Sequence, residues 1–113
     1  MRLFLRLINY KSEMEKIPDG EIFLDSPFAK EIGFTSDVFE GLSYLWKTEE
    51  YIIISAIESK EERKGHFTKL TQKIFSLGYK IKVPTPFPKM VAWLQKNNFS
   101  QTFDGDCEIW ISK

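Results

Sequence analysis

One cysteine and one histidine are all that this sequence holds of the two residue types that most often ligate metals and form covalent intermediates. Cys107 without a second cysteine excludes an intramolecular disulfide, and His66 without a second histidine excludes a cluster at metal-ligand spacing, so no metal site is expected. Net charge is equally lacking. Sixteen Lys and Arg balance sixteen Asp and Glu, which removes the positive field of a protein that grips nucleic acid through phosphates. Long apolar runs are absent too. The N-terminal MRLFLRLINY is broken by Arg6 and followed by no small-residue cleavage site, so it reads as a strand over Arg2–Tyr10 rather than a signal peptide. No membrane partner and a cytoplasmic location are the expectation. No linker, repeat or low-complexity stretch divides the chain, which predicts a single domain over residues 1–113.

Aromatic residues are what the chain has in quantity. Ten Phe, four Tyr and three Trp give a small domain large side chains to bury. Pro18-Asp19-Gly20 is a turn signal, and Ile22-Phe23-Leu24 after it is a brief strand or loop. Asp25 or Ser26 before Pro27 resembles an N-cap, Phe28, Ala29 and Ile32 share one helical face, and Gly33 ends that helix. Ser36 is placed to cap a further turn through Val38 and Phe39. An extended run begins near Leu42, and polar Lys47-Thr48-Glu49-Glu50 turns the chain into a second one over Tyr51–Ser59.

After a charged turn at residues 60–65, Phe67, Leu70, Ile74 and Leu77 recur at helical spacing, with Gly78 as a C-terminal stop. Tyr79–Val83 alternates as a strand, and a helix between two strands implies a parallel right-handed crossover. Pro84, Pro86 and Pro88 end it, and Lys89–Asn97 forms another helix with Met90, Val91 and Leu94 as its apolar stripe and Pro88 placed as an N1 residue. Asp104-Gly105-Asp106 between Ser100–Phe103 and Cys107–Ser112 predicts a terminal hairpin. Strands at both ends of the chain leave edges through which a homodimer can form.

The stretch from Tyr51 to Phe99 is therefore a βαβα unit with Gly65 at the entry to its first helix. Glycine there allows close approach to the backbone, and the free N–H groups of the first turn suit a phosphate. The alternative is a plain strand-to-helix connection whose Arg63 and Lys64 are solvated. Glu58 is a candidate general base, or a solvated carboxylate; His66 is a candidate phosphate or proton ligand, or merely tolerated at a helix start. Trp93 and Trp110 read as core rather than a substrate floor, and Cys107 as a small buried apolar residue.

Glu62-Arg63-Lys64-Gly65-His66-Phe67, continuing through Thr68-Lys69-Leu70, resembles the strand-turn-helix of GNAT-type N-acetyltransferases, whose R/Q-x-x-G-x-G/A turn holds the pyrophosphate of coenzyme A. Ala92-Trp93-Leu94-Gln95-Lys96-Asn97-Asn98-Phe99 resembles that family's later helix, and the match spans roughly residues 42–113. Small phage-encoded acetyltransferase-like proteins, with a proline-rich bend like KVPTPFPKM, look similar too. The resemblance implies an α+β fold, a GNAT-like three-layer αβα with a mixed, mostly antiparallel central sheet. It implies transfer of acetyl from acetyl-CoA, a coenzyme A thioester, to an unknown amine or protein acceptor. Ile57 and Ser59 would then offer main-chain groups to the pantetheine arm, while Arg63, Lys64, Gly65, His66, Phe67 and Thr68 surround the pyrophosphate. Glu62 stands where the motif has Arg or Gln, Phe67 replaces its last small residue, and Leu94 falls where the family often has an acid tyrosine. These departures motivate the other expectation, a catalytically silent binding module of the same fold, one that blocks a host protein if the phage likeness holds.

Overall fold

A computed structural model describes residues 18–61 and 64–113. The expected strand over Arg2–Tyr10, and Glu62 and Arg63 of the charged turn, lie outside the described residues. The elements in order are β1 (Gly20–Ile22), α1 (Pro27–Ile32), β2 (Tyr44–Thr48), β3 (Tyr51–Ala56), α2 (His66–Ser76), β4 (Lys80–Pro84), α3 (Pro88–Lys96), β5 (Ser100–Asp104) and β6 (Cys107–Ile111). The fold is α+β: among the described residues six strands form one mixed sheet in the order β1-β2-β3-β4-β6-β5, with β3 and β4 as the one parallel pair.

Local chemistry sets the helix ends. Ser26 caps α1, its Oγ accepting from the Ala29 N–H at 3.3 Å, and Pro27 sits in the first turn where a missing N–H costs nothing. Asp25, the other cap candidate, instead uses Oδ1 to accept from the Ser36 N–H at 2.9 Å. Helix α2 ends in a Schellman motif: the N–H of Gly78 donates to Phe75 O and that of Tyr79 to Ile74 O, with Gly78 at φ 90. Helix α3 ends the same way on Asn98 at φ 64, with Phe99 N–H donating to Leu94 O at 3.0 Å. The further turn expected after Ser36 is a short turn only, closed by N–H bonds of Val38 and Phe39 to Thr35 O. A hydrogen bond from Thr35 Oγ1 to Asp37 Oδ1 supports it.

Alternation along the strands puts Ile22, Leu45, Lys47, Ile52, Ile54, Ile81, Val83 and Trp110 on one face of the sheet, all buried. The described helices lean on that face, contributing Ala29, Ile32, Leu70, Ile74 and Leu94 to the same core cluster. Full burial of a Leu or Ile stabilises by about 1.5–3 kcal/mol, so the four Leu and Ile positions among them hold the layer down. Rings join the helices to each other: Phe67 meets Trp93 edge-on at 4.6 Å, and Trp93 meets Phe99 at 5.7 Å. Trp110, only 5% exposed, is core as expected, whereas Trp93 is half-buried between two helices. Tyr44 and Trp46 point to the other face and are exposed; Cys107 lies there half-buried, less enclosed than a small core residue.

The turn between β2 and β3 is shorter than the run Lys47-Thr48-Glu49-Glu50 suggests. Lys47 and Thr48 stay in the strand, paired with Ile52 and Tyr51, and only Glu49-Glu50 turns the chain. Lys47 is buried because its ammonium finds Asp19 Oδ1 at 2.9 Å, and the same oxygen accepts from the Glu49 N–H at 3.0 Å. A buried charge with a partner is tolerated, and the partner comes from the turn before β1, 28 residues away.

Candidate functional site

The site is built where the parallel pair β3 and β4 comes apart. Strands β3 and β4 are paired only at Tyr51 with Lys80, Ile52 with Ile81 and Ile53 with Lys82. On the other edge of β3, Leu45 pairs with Ile54 but Tyr44 with Ala56, so β3 carries a bulge with Ser55 as the extra residue. A bulge bends its strand and ends pairing, which is the physical reason β3 leaves β4 just past Ile53. The cleft so opened lies at the C-terminal ends of two parallel strands with antiparallel neighbours on either side, the place where open sheets containing parallel strands take ligands.

Beyond the bulge the chain stays extended because the segment before β2 holds it. Phe39 bridges Ser59 in antiparallel fashion, Glu40 N–H donates to Glu58 O at 2.8 Å, and Lys60 N–H donates to Val38 O at 2.8 Å. Ser43, buried at 5% exposure, closes the clamp: its Oγ accepts from the Glu58 N–H at 2.9 Å and donates to Glu58 O at 3.4 Å. Main-chain groups of Glu58 and Lys60 therefore face the 38–43 segment. Alternation then turns those of Ile57 and Ser59 to the opposite edge, the one that fronts the cleft.

Helix α2 begins at the same end. Gly65, at φ 76, occupies the left-handed region before the helix, and no side chain caps the first turn. A Cβ on Gly65 would meet nothing within 4 Å, so the approach from that side is open. The first ladder bond runs from Lys69 N–H to Gly65 O at 3.0 Å, leaving the N–H groups of His66, Phe67 and Thr68 as the helix's early donors. Lys64 and Gly65 are exposed and His66 is half-buried. Phe67 turns its ring into Trp93, away from a purely ligand-facing role, and Thr68 Oγ1 accepts from Trp93 Nε1 at 3.2 Å. Both side chains lock α2 to α3, which leaves the early main-chain donors and exposed Lys64 as the groups open at this helix start.

Glu58 is exposed at the mouth of the strand extension. Leu94 is fully buried in the core at 0% exposure, held by packing and not directed at the cleft. Sequence reading missed Ser43, whose short polar side chain gave no signal until the bulge brought Glu58 across from it. It also missed the bulge, since Ser55 looks like any residue of an alternating strand. A separate open groove of about 500 Å³ lies at the opposite end of β4, floored by Phe75, Tyr79 and Phe99 with Lys80 at its rim. None of the sequence-predicted site residues lines it.

Comparison with protein-family models, with curated proteins and with solved structures finds no match to this chain.

Proposed function

We propose that this chain is a GNAT-type αβα domain that binds acetyl-CoA in the cleft between β3 and β4 and transfers acetyl to an amine. The observation that carries the reading is the bulge at Ser55, which opens an unpaired edge of β3 at the same end of the sheet as the uncapped start of α2. An extended amide-bearing arm adds to such an edge as a partial strand, drawing on the main chain of Ile57 and Ser59. A pyrophosphate then meets the early N–H groups of α2, the positive end of its dipole and Lys64. Gly65 leaves room for that approach. When bound, acetyl-CoA supplies an activated acetyl thioester. Glu58 is the candidate to take a proton from the incoming amine, directly or through one water.

Leu94 favours a second reading. Where an acid would assist the departing thiol, this chain has a buried aliphatic side chain. A binding module of the same fold, one that holds a partner without acetylating it, accommodates that feature.

Isothermal titration with acetyl-CoA and with coenzyme A tests the first reading. Binding of both is expected, and absence of heat and of thermal stabilisation at millimolar ligand would sink it. Incubation with an amine panel and acetyl-CoA, followed by mass spectrometry, separates the readings: a gain of one acetyl group on an acceptor excludes the silent module.

A further inference from the structure

Among the described residues the sheet ends on one side at β5, and no described segment guards that edge. All five residues from Ser100 to Asp104 are exposed, and no strand pairs with their outer side among the described residues. Natural edge strands are blunted by Lys, Pro, a bulge or shortness. Strand β5 contains no Lys and no Pro, its register with β6 is unbroken from Ser100–Ile111 to Asp104–Cys107, and it is longer than three-residue β1 at the other end.

The geometry of the β5-β6 hairpin says which groups are left over. A two-residue turn, Gly105-Asp106 with Gly105 at φ 64, makes Asp104 and Cys107 its hydrogen-bonded closing pair. Alternation then points the main-chain groups of Ser100, Thr102 and Asp104 toward β6 and those of Gln101 and Phe103 outward. We propose that this edge pairs with the same edge of a second copy, antiparallel about a twofold axis at Thr102, joining two six-stranded sheets into one.

The register follows from self-complementarity. With the axis at Thr102, Gln101 of each chain lies opposite Phe103 of the other, and all outward N–H and C=O groups of both residues find partners. Thr102 meets its own copy in a non-hydrogen-bonded pair, where side chains come closest and a Thr–Thr contact is favourable. Asp104 lies opposite Ser100, so no like charges face each other. An axis at Asp104 would set two carboxylates together, and an axis at Gln101 or Phe103 would leave outward groups of the other residue without a partner within the strand. Phe103, 63% exposed, gains cover over the partner's Gln101. A second copy is the occupant because this five-residue edge is complementary to itself in that register. The inference is independent of any coenzyme A site.

Sedimentation of the full chain from micromolar to millimolar concentration tests it, with two charge variants at the exposed axis position. The native chain is expected to reach the mass of two chains. Thr102→Lys and Thr102→Glu each place like charges at the axis and are expected to sediment as one chain while melting cooperatively. Mixed in equal amounts, the two variants are expected to regain the two-chain mass. A native chain that stays monomeric throughout overturns the proposal, and so do variants that still dimerise alone. Folded monomeric variants that fail to associate when mixed also overturn it.

Discussion

Replacing Ser43 by Ala removes one oxygen and tests the clamp that keeps the cleft open. Ser43 Oγ is the acceptor for the Glu58 N–H at 2.9 Å, in a side chain only 5% exposed. The Glu58 carbonyl keeps its bond from Glu40 N–H at 2.8 Å, so the loss falls on the amide. A sheltered donor left without an acceptor costs about 1–3 kcal/mol. For a chain of 113 residues the unfolding entropy is about 240 cal/mol/K, so the melting temperature is expected to fall by about 4–12 °C. Calorimetry measures that fall, and amide exchange locates it: Glu58 should exchange faster, and Ser43→Thr, which keeps the hydroxyl, should recover most of the protection. On the proposed reading, coenzyme A affinity falls as well, since the main chain of Ile57 and Ser59 loses its fixed direction. A melting temperature lowered by less than about 2 °C, with Glu58 exchange unchanged, would refute the clamp.

Three further outcomes are expected. Gly65 sits at φ 76 with open space around its missing Cβ, so Gly65→Ala should destabilise by about 1–2 kcal/mol through backbone strain, and Gly65→Asn by less. Gly65→Asp should fold like the Asn variant yet lose coenzyme A binding, which titration of the two side by side will show. Leu94→Tyr should lower stability by about 1–3 kcal/mol and leave the acetylation rate no higher than that of the native chain, because position 94 is core at 0% exposure; thermal melts and an acetylation assay check both halves. Acid should weaken the fold in a specific way. The hydrogen bond from Lys47, then that from Glu49 N–H, holds the Asp19 carboxyl below its ordinary value; hydrogen bonds from Ser36, side chain first and then main chain, do the same for Asp25. A carboxyl depressed in the folded state contributes stability above its unfolded value and loses it as pH falls through the folded value. Melting temperature should therefore drop below about pH 4, and Asp19→Asn should flatten that limb while lowering stability at neutral pH, where Lys47 loses its counter-charge.

Elements whose signal is local were legible from the sequence. Helix α1 spans Pro27–Ile32 because Ser26, Pro27 and Gly33 act within a turn of it. Helix α2 starts at His66, one residue before Phe67 opens its apolar stripe, and α3 starts at Pro88, the proline suited to a first helical position. The terminal hairpin, the β3-α2-β4 order and the parallel pairing of its strands were likewise readable from periodicity and turn residues. Lys47 was misread as turn because a lysine in a buried strand position makes sense only once Asp19 is beside it.

The sequence by itself determined the order of the elements from β2 to β6 and the position of Gly65 at a helix start, since each depends on residues a few positions apart. Only the tertiary structure decided where β3 and β4 part, because a bulge is a mismatch between two strands and neither strand shows it alone. It also decided that Ser43 holds Glu58, that Phe67 and Thr68 lock α2 to α3, and that Leu94 is core. Each of these is a contact between segments, fixed by how the sheet twists and the helices pack upon it.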